Sequence, residues 1–333
     1  MGKKHVPMTG LALLTFLAHG ETPASEEFGE TVEKAISYLL DHQKEDGRFY
    51  PGKAPPPAVS NRGYGGGGRD YYGGPYIQAV VTYALAEAYG MTRVPRLRTA
   101  MEKGIQVVLD HQQDGGGYDY YYRKSYRADV SATGWQLQAM KAAYIAGARN
   151  EGLKEAMEKG IGFVKKVQDP ESGVFSYRLL RGTEVKPLKS ERLTGVAVLC
   201  LQLLGYGRDQ AVKAGLASLK GTTCDWKDPP PWPMYGWYYI TQAKFHAGGQ
   251  TWKGWNAQFA KAYLSHQNKD GSWTSPTGKA DNFEVSKGLV YSTTFAALTL
   301  MVYYHHLPTY QHTAVENEAE EFEEDDDVEV IVI

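Results

Sequence analysis

The sequence has few of the residues that bind metals or form cross-links. It contains only 2 cysteines, Cys200 and Cys224, in 333 residues, and no metal-ligand spacing surrounds either of them, which argues against a disulfide framework or a zinc cluster. No apolar run is long enough to cross a membrane. The glycine-rich stretch 63–68 is not followed by the Lys-Ser/Thr pair of a phosphate-binding loop. We therefore predict no cofactor and no membrane span.

Charge is distributed unevenly along the chain. Residues 311–333 carry ten acidic side chains and no Lys or Arg, and removing them from the net charge of −2 leaves +8 for residues 1–310. Such a tail is predicted to be disordered, and it could hold a protein partner. The basic residues of the body are spread along predicted surface helices, so we expect no nucleic-acid binding. We predict one domain over 1–310 and an acidic tail over 311–333.

A short motif recurs four times. A glutamine is followed after four or five residues by glycine, and two residues later by an aromatic side chain, at Gln43–Gly47–Phe49, Gln112–Gly116–Tyr118, Gln168–Gly173–Phe175 and Gln267–Gly271–Trp273. The longest interval holds one decayed copy, from Lys213-Ala214 to Trp226. A unit that recurs at about 50 residues indicates a repeat architecture.

The repeat predicts paired helices. Apolar residues at helical spacing precede each motif, the glutamine can bond backbone groups left unpaired at a helix end, and the glycine permits a tight turn. A second, more apolar set of helices is predicted between them, at 8–18, 76–89, 130–146, 193–204, 234–247 and 290–305. The outer set is predicted at 29–42, 95–111, 151–167, 208–219 and 252–266. We therefore predict an all-α fold, an (α/α) toroid of about six hairpins that lacks the first outer helix.

The N-terminal apolar run has two interpretations. Lys3, Lys4 and His5 precede residues 8–18, which is the pattern of a short signal peptide. However, Thr9-Gly10 recurs as Thr194-Gly195 at the start of a later helix, which favours an inner helix of the repeat. On the second interpretation a cytoplasmic location is favoured.

The repeat unit resembles the QW repeat of squalene and hopene cyclases and of protein prenyltransferase β subunits. The clearest copy is Gln267-Asn268-Lys269-Asp270-Gly271-Ser272-Trp273, and the resemblance covers residues 8–306. The chain looks like a divergent bacterial-type member of this terpenoid cyclase and prenyltransferase family. The resemblance implies a toroid that binds an apolar, amphipathic or terpenoid-like small molecule in its central cavity.

The acid motif of those cyclases is only partly present. Cyclases protonate an alkene with the middle acid of an Asp-x-Asp-Asp-Thr motif, and the nearest segment here is Asp129-Val130-Ser131-Ala132-Thr133. Ser131 stands in the position of the proton donor, and a hydroxyl is far too weak an acid for that step. Asp129 is then either a helix N-cap or a retained catalytic group. The Asp-x-Cys zinc pair of prenyltransferases is not matched by Cys224-Asp225, so we predict no metal.

Tyrosine-rich loops supply the other candidate site residues. Two loops precede inner helices at the same end of the predicted ring, and they form either a ligand-binding rim or flexible loops between hairpins without a binding role. The first loop offers Asp70 as a catalytic candidate, together with Tyr71 and Tyr72. The second loop and the inner helices add the ligand-binding candidates Tyr120, Tyr121, Tyr122, Arg123, Trp135, Trp237 and Tyr238.

Two other functions fit the same residues. The ring could be a non-catalytic scaffold that holds a protein partner through the acidic tail. It could also be a polysaccharide lyase or hydrolase whose tyrosines stack on sugars, with Arg69, Asp70, Tyr120 and Arg123 as its candidate residues. A shared fold does not choose among these functions.

Overall fold

The chain folds into two concentric layers of helices. The computed structural model describes residues 5–51, 73–124, 128–178, 190–277 and 284–310. The inner helices are α1 (His5–Ala18), α3 (Gly74–Thr92), α5 (Val130–Ala146), α7 (Glu191–Leu201), α9 (Pro233–Ala247) and α11 (Leu289–Leu300). The outer helices are α2 (Gly29–Asp41), α4 (Pro95–Asp110), α6 (Leu153–Lys166), α8 (Gln210–Ser218) and α10 (Gly249–Ser265). The predicted all-α toroid is confirmed.

Burial separates the two layers. In α3, 14 of 19 residues are buried, because neighbours surround this helix on nearly every side. In α2 only Gly29, Val32, Ile36 and Leu39 are buried, and the spacing of the last three defines a single apolar stripe. The apolar run at the N-terminus forms α1, which packs between α3 and α11, as the repeat-helix interpretation predicted.

The inner layer forms a closed ring. Each inner helix contacts the next one along the chain, and α11 returns to contact α1. The outer helices lie over the seams, so that α4 packs against α3 and α5, and α6 packs against α5 and α7. The ring is therefore closed on the inside, and in the described chain the interruption is confined to the outer layer between α10 and α2.

The repeated glutamine joins neighbouring hairpins. The side-chain amide of Gln112 donates to the carbonyl of Gly116 in its own turn at 2.9 Å and to Ala156 of the next outer helix at 2.7 Å. Gln43 and Gln168 make the equivalent pair of bonds. Gln267, which within the described residues has no outer helix beyond it, bonds only Gly271 in its own turn.

The glycine of the motif explains the small residue that follows the repeated lysine. Gly116 has a φ of +87°, and a Cβ there would lie 1.9 Å from the carbonyl oxygen of Lys159 in α6. The turn therefore lies directly on the next outer helix, where Gly160 leaves room. At Gly271 a Cβ would meet nothing closer than 3.9 Å, because this turn has no such helix against it.

We expect Gln112→Ala to lower the free energy of unfolding by about 2–3 kcal/mol, because two buried carbonyls lose their donor. Gln267→Ala is the matched control, since its single bond is exposed, and it should cost about 0.5 kcal/mol or less. Denaturant unfolding of both variants measures the difference. Equal losses would show that the glutamine contributes only within its own turn.

The end of the ring at the C-termini of the inner helices is covered by residues 307–310. The backbone N–H of Thr309 points at both carboxyl oxygens of Glu87 on α3, at 3.3 and 3.4 Å. Glu87 is fully buried, and this burial raises the pKa of its carboxyl to about 8. Pro308 lies against Gly90, where a Cβ would approach it to 2.9 Å. Residues 307–310 do not reach the other end of the toroid, at the N-termini of the inner helices, which we call the open end.

Candidate functional site

The open end of the toroid carries the candidate site. Short connections such as Arg93–Val94 reverse the chain after each inner helix, so all inner helices run in the same direction. The glutamine-containing turns then lead the chain back to the inner N-termini. The described residues that directly precede α5, α7 and α11 therefore lie at one end of the ring.

Asp129 lies at this end, as the N-cap of α5. Its Oδ1 accepts hydrogen bonds from the backbone N–H groups of Ser131 at 2.9 Å and Ala132 at 3.1 Å, which cap α5. The Ser131 hydroxyl also donates to Oδ1. Oδ2 is buried and has no hydrogen-bond partner, and the residue is 3 % exposed. The N-cap interpretation is confirmed, and one carboxyl oxygen remains available.

The environment favours the neutral form of this carboxyl. Burial raises the pKa of Asp129, against the lowering effect of the hydrogen bonds from Ser131 and Ala132 and of the nearby Tyr177 hydroxyl. The Tyr177 hydroxyl lies near the carboxyl but does not satisfy Oδ2 at hydrogen-bonding geometry. A raised pKa keeps the proton on a carboxyl group up to a higher pH, which is the property a general acid needs.

Three tyrosines form one wall beside Asp129. The Tyr76 hydroxyl is 2.7 Å from Ser131 Oγ, and because Ser131 gives its proton to Asp129, Tyr76 is the donor. The Tyr76 and Tyr120 rings stack with centroids 5.5 Å apart, and the Tyr120 and Tyr177 hydroxyls bond each other. Burial raises the pKa of all three hydroxyls, so they remain protonated donors.

Tyr235 and Glu284 lie at the start of α9, at the same end of the ring as Asp129. The Tyr235 hydroxyl is buried and has no hydrogen-bond partner. Burial, followed by the negative charge of Asp129, raises its pKa. Glu284 accepts the N–H groups of Met234 at 3.1 Å and Tyr235 at 3.0 Å, and the Ser275 hydroxyl at 2.7 Å. Both Glu284 oxygens are therefore engaged in holding the start of α9.

The candidate site residues predicted from the sequence lie in different parts of the structure. Asp129 and Tyr120 lie together at the open end. Trp135 is buried inside the ring against Tyr239 and Phe295, and Tyr238 is buried against the same two rings. Asp70, Tyr71 and Tyr72, like Arg69, lie outside the described residues.

The other candidates serve the architecture. Tyr122 is buried and donates to Gln136 Oε1 at 2.9 Å, and Trp237 donates to the Thr223 carbonyl at 3.2 Å while it packs on Trp226. Arg123 is paired with Asp119 at 2.6 Å and lies 4.4 Å from the ring centroid of Tyr121. These side chains fix the loop and the helix seams.

Sequence reasoning missed Tyr76, Tyr177, Tyr235 and Glu284. A signal for Tyr177 was present, because it follows Phe175 by two residues just as Tyr120 follows Tyr118. The same repeat position is occupied by Ser275, which bonds Glu284. This position of the repeat faces the open end of the ring.

Neither a metal site nor a membrane-spanning helix is present among the described residues. They contain no group of three or more His, Cys, Asp or Glu side chains placed to hold a metal ion. None of the described helices has the length and apolar character needed to cross a membrane.

Comparison with known proteins gives structural relatives but no sequence relatives. No family model and no curated protein matches the chain. An inactive variant of the α-1,6-mannanase GH76A of Salegentibacter sp. HEL1_6, in complex with α-1,6-mannotetrose, matches with a TM-score of 0.60 at 10 % identity, over 90 % of each chain. A sugar epimerase from a ruminal bacterium matches with a TM-score of 0.63 at 12 % identity, over 91 % of this chain and 90 % of that one.

A possible member of the GH105 family from Salmonella enterica subsp. enterica serovar Paratyphi A matches with a TM-score of 0.59 at 14 % identity, over 89 % of this chain and 82 % of that one. The fold is that of the α/α toroid glycosidases. The resemblance to terpenoid cyclases and prenyltransferases was therefore wrong as an assignment of family, because the structural neighbours are glycoside hydrolases and a sugar epimerase. At these identities the likeness establishes the fold alone.

Proposed function

We propose that this chain is a glycoside hydrolase whose general acid is Asp129. The observation that carries the proposal is the free Oδ2 of Asp129, a buried carboxyl oxygen without a hydrogen-bond partner, at the open end of a ring lined by tyrosine hydroxyls. Glycosidases use such a carboxyl, with a raised pKa, to protonate the leaving oxygen.

The residues divide the chemistry as follows. The Asp129 carboxyl gives its proton to the glycosidic oxygen while the bond to the anomeric carbon breaks. Water adds to that carbon and loses a proton, so each product ends in a hydroxyl group. In this proposal the hydroxyls of Tyr76, Tyr120 and Tyr177 bond sugar hydroxyls, and their aromatic rings stack on the sugar ring.

A glycosidase also needs a carboxylate that activates the water or attacks the anomeric carbon. Glu284 lies in the same opening, but its oxygens already accept three hydrogen bonds, so we assign it to positioning α9. Asp70 is the other candidate, and it lies outside the described residues. The acid is thus the catalytic group that the described residues support.

The test is a panel of soluble oligosaccharides, comprising α-1,6-mannotetraose, α- and β-linked gluco-oligosaccharides and oligogalacturonates. We expect purified protein to release new reducing ends from at least one of them, measured by chromatography and NMR. Conversion of a sugar to its epimer without cleavage would replace the hydrolase with an epimerase. Unchanged substrates across the panel would contradict both.

A further inference from the structure

Two buried polar atoms at the open end have no hydrogen-bond partner. One is Oδ2 of Asp129 and the other is the hydroxyl oxygen of Tyr235. The two residues are 3 % and 9 % exposed, so bulk water does not compensate for the missing bonds. Leaving a buried polar group unpaired costs about 1–3 kcal/mol, and native structures rarely contain such groups.

The two atoms belong to one site. Side chains of α5 and α9 meet across the ring one turn deeper, where Gln138 Nε2 donates to the Tyr239 hydroxyl at 2.9 Å and the Trp135 ring contacts the Tyr239 ring. Asp129 caps the start of α5, and Tyr235 lies in the first turn of α9 with its ring 4.8 Å from that of Tyr239. Yet Asp129 and Tyr235 do not bond each other. A polar molecule that accepts from the hydroxyl and bonds the carboxyl group would satisfy both unpaired atoms.

The backbone on either side holds the two atoms in place. Asp129 is fixed by its cap on α5. The N–H of Tyr235 is held by Glu284, and its ring packs on Tyr239 and Phe295 with centroids 4.8 and 5.9 Å away. Neither group can turn away to find an internal partner without breaking these contacts. Unpaired groups that are rigidly held are typical of sites preorganised for a ligand.

We infer that the Tyr235 hydroxyl binds the sugar whose glycosidic oxygen faces Asp129, donating a hydrogen bond to one of its hydroxyls. The inference rests on the proposed hydrolase function and adds a substrate-binding residue to it. Tyr235 contributes to affinity and positioning, while the proton comes from Asp129.

Tyr235→Phe separates this role from a structural one. Removing a hydroxyl that has no partner should leave the melting temperature unchanged or raise it by about 1–3 °C. The matched control is Tyr239→Phe, one turn along the same helix. The Tyr239 hydroxyl accepts from Gln138 Nε2 at 2.9 Å, so its removal should lower the melting temperature.

The binding measurement uses whichever oligosaccharide of the panel the wild type cleaves, titrated calorimetrically. Tyr235→Phe should raise the dissociation constant of this oligosaccharide about tenfold, and Tyr239→Phe should change it less than twofold. An unchanged constant in Tyr235→Phe, or a melting temperature that falls as in the control, would overturn the assignment alone. A wild type that binds and cleaves no sugar would remove the proposed function together with it.

Discussion

Asp129→Asn is expected to lower the rate of glycoside cleavage by about 10²- to 10⁴-fold, the usual contribution of a general acid. Asparagine keeps an oxygen that can accept the N–H groups of Ser131 and Ala132, and it is as good an N-cap as aspartate. It cannot donate a proton to a leaving alkoxide. The variant should therefore fold with near wild-type stability and bind substrate normally while kcat falls.

A matched control lies in the outer layer. Asp209 caps α8 by accepting the Ala211 N–H at 2.8 Å, far from the open end, and Asp209→Asn should leave kcat unchanged. The wild-type rate should also fall as pH rises through the raised pKa of Asp129, because ionisation removes the acid. Full activity in Asp129→Asn would exclude this residue as the proton donor.

Glu87→Gln is expected to stabilise the protein at alkaline pH. Burial raises the pKa of Glu87 from 4.5 to about 8, so between these values the folded state retains a proton that the unfolded state loses. The contribution of Glu87 to stability is therefore fully present below pH 4.5 and is lost as pH rises toward 8, by at most about 5 kcal/mol. Glutamine, which is neutral at every pH, removes this loss and keeps an oxygen for the Thr309 N–H.

Denaturant midpoints measured from pH 5 to pH 9 test this expectation. The wild-type and variant curves should separate progressively toward pH 8 and then run parallel. Glu158→Gln, an exposed position on α6, should follow the wild type throughout. If the wild type shows no separation from Glu87→Gln over this range, Glu87 is not held protonated by the fold.

The sequence was sufficient to predict the toroid because its repeat residues perform the same local task each time. The glutamine bonds its own turn and the next outer helix, and the glycine leaves room for that helix. Six inner and five outer helices were predicted, and their bounds differ from the observed ones by a few residues. The largest differences are at two C-termini: the predicted 193–204 includes part of a π-helical turn, Gln202–Tyr206, after α7, and the predicted 290–305 includes a 3-10 turn, Met301–Tyr303, after α11.

The same fact explains why the family resemblance misled. Every residue of the repeat motif is used by the architecture, so the motif reports how hairpins stack and carries no information about the reaction. Asp129 was found from its sequence because a cap is a local feature. Its position relative to Tyr235, which belongs to a different hairpin, is set only by closure of the ring.

The contact that covers the other end of the toroid, between Glu87 and Thr309, also could not be predicted from the sequence. Glu87 and Thr309 are separated by 222 positions, and Glu87 occurs within the apolar run of an inner helix. Nothing local distinguishes an acid that faces solvent from one covered by a later segment. Its burial became visible only when residues 307–310 were placed across the ring.

The single bond made by Gln267 has a mechanical consequence. Within the described chain the inner layer has no ends, whereas the outer layer has two, at α2 and α10. The end helices α2 and α10 pack mainly against their own inner partners, α1 and α9, whereas α4 and α6 each pack against two inner helices. The outer layer is thus interrupted between α10 and α2, around an inner layer that is closed. A distortion of the toroid can be absorbed at this interruption without separating the inner helices.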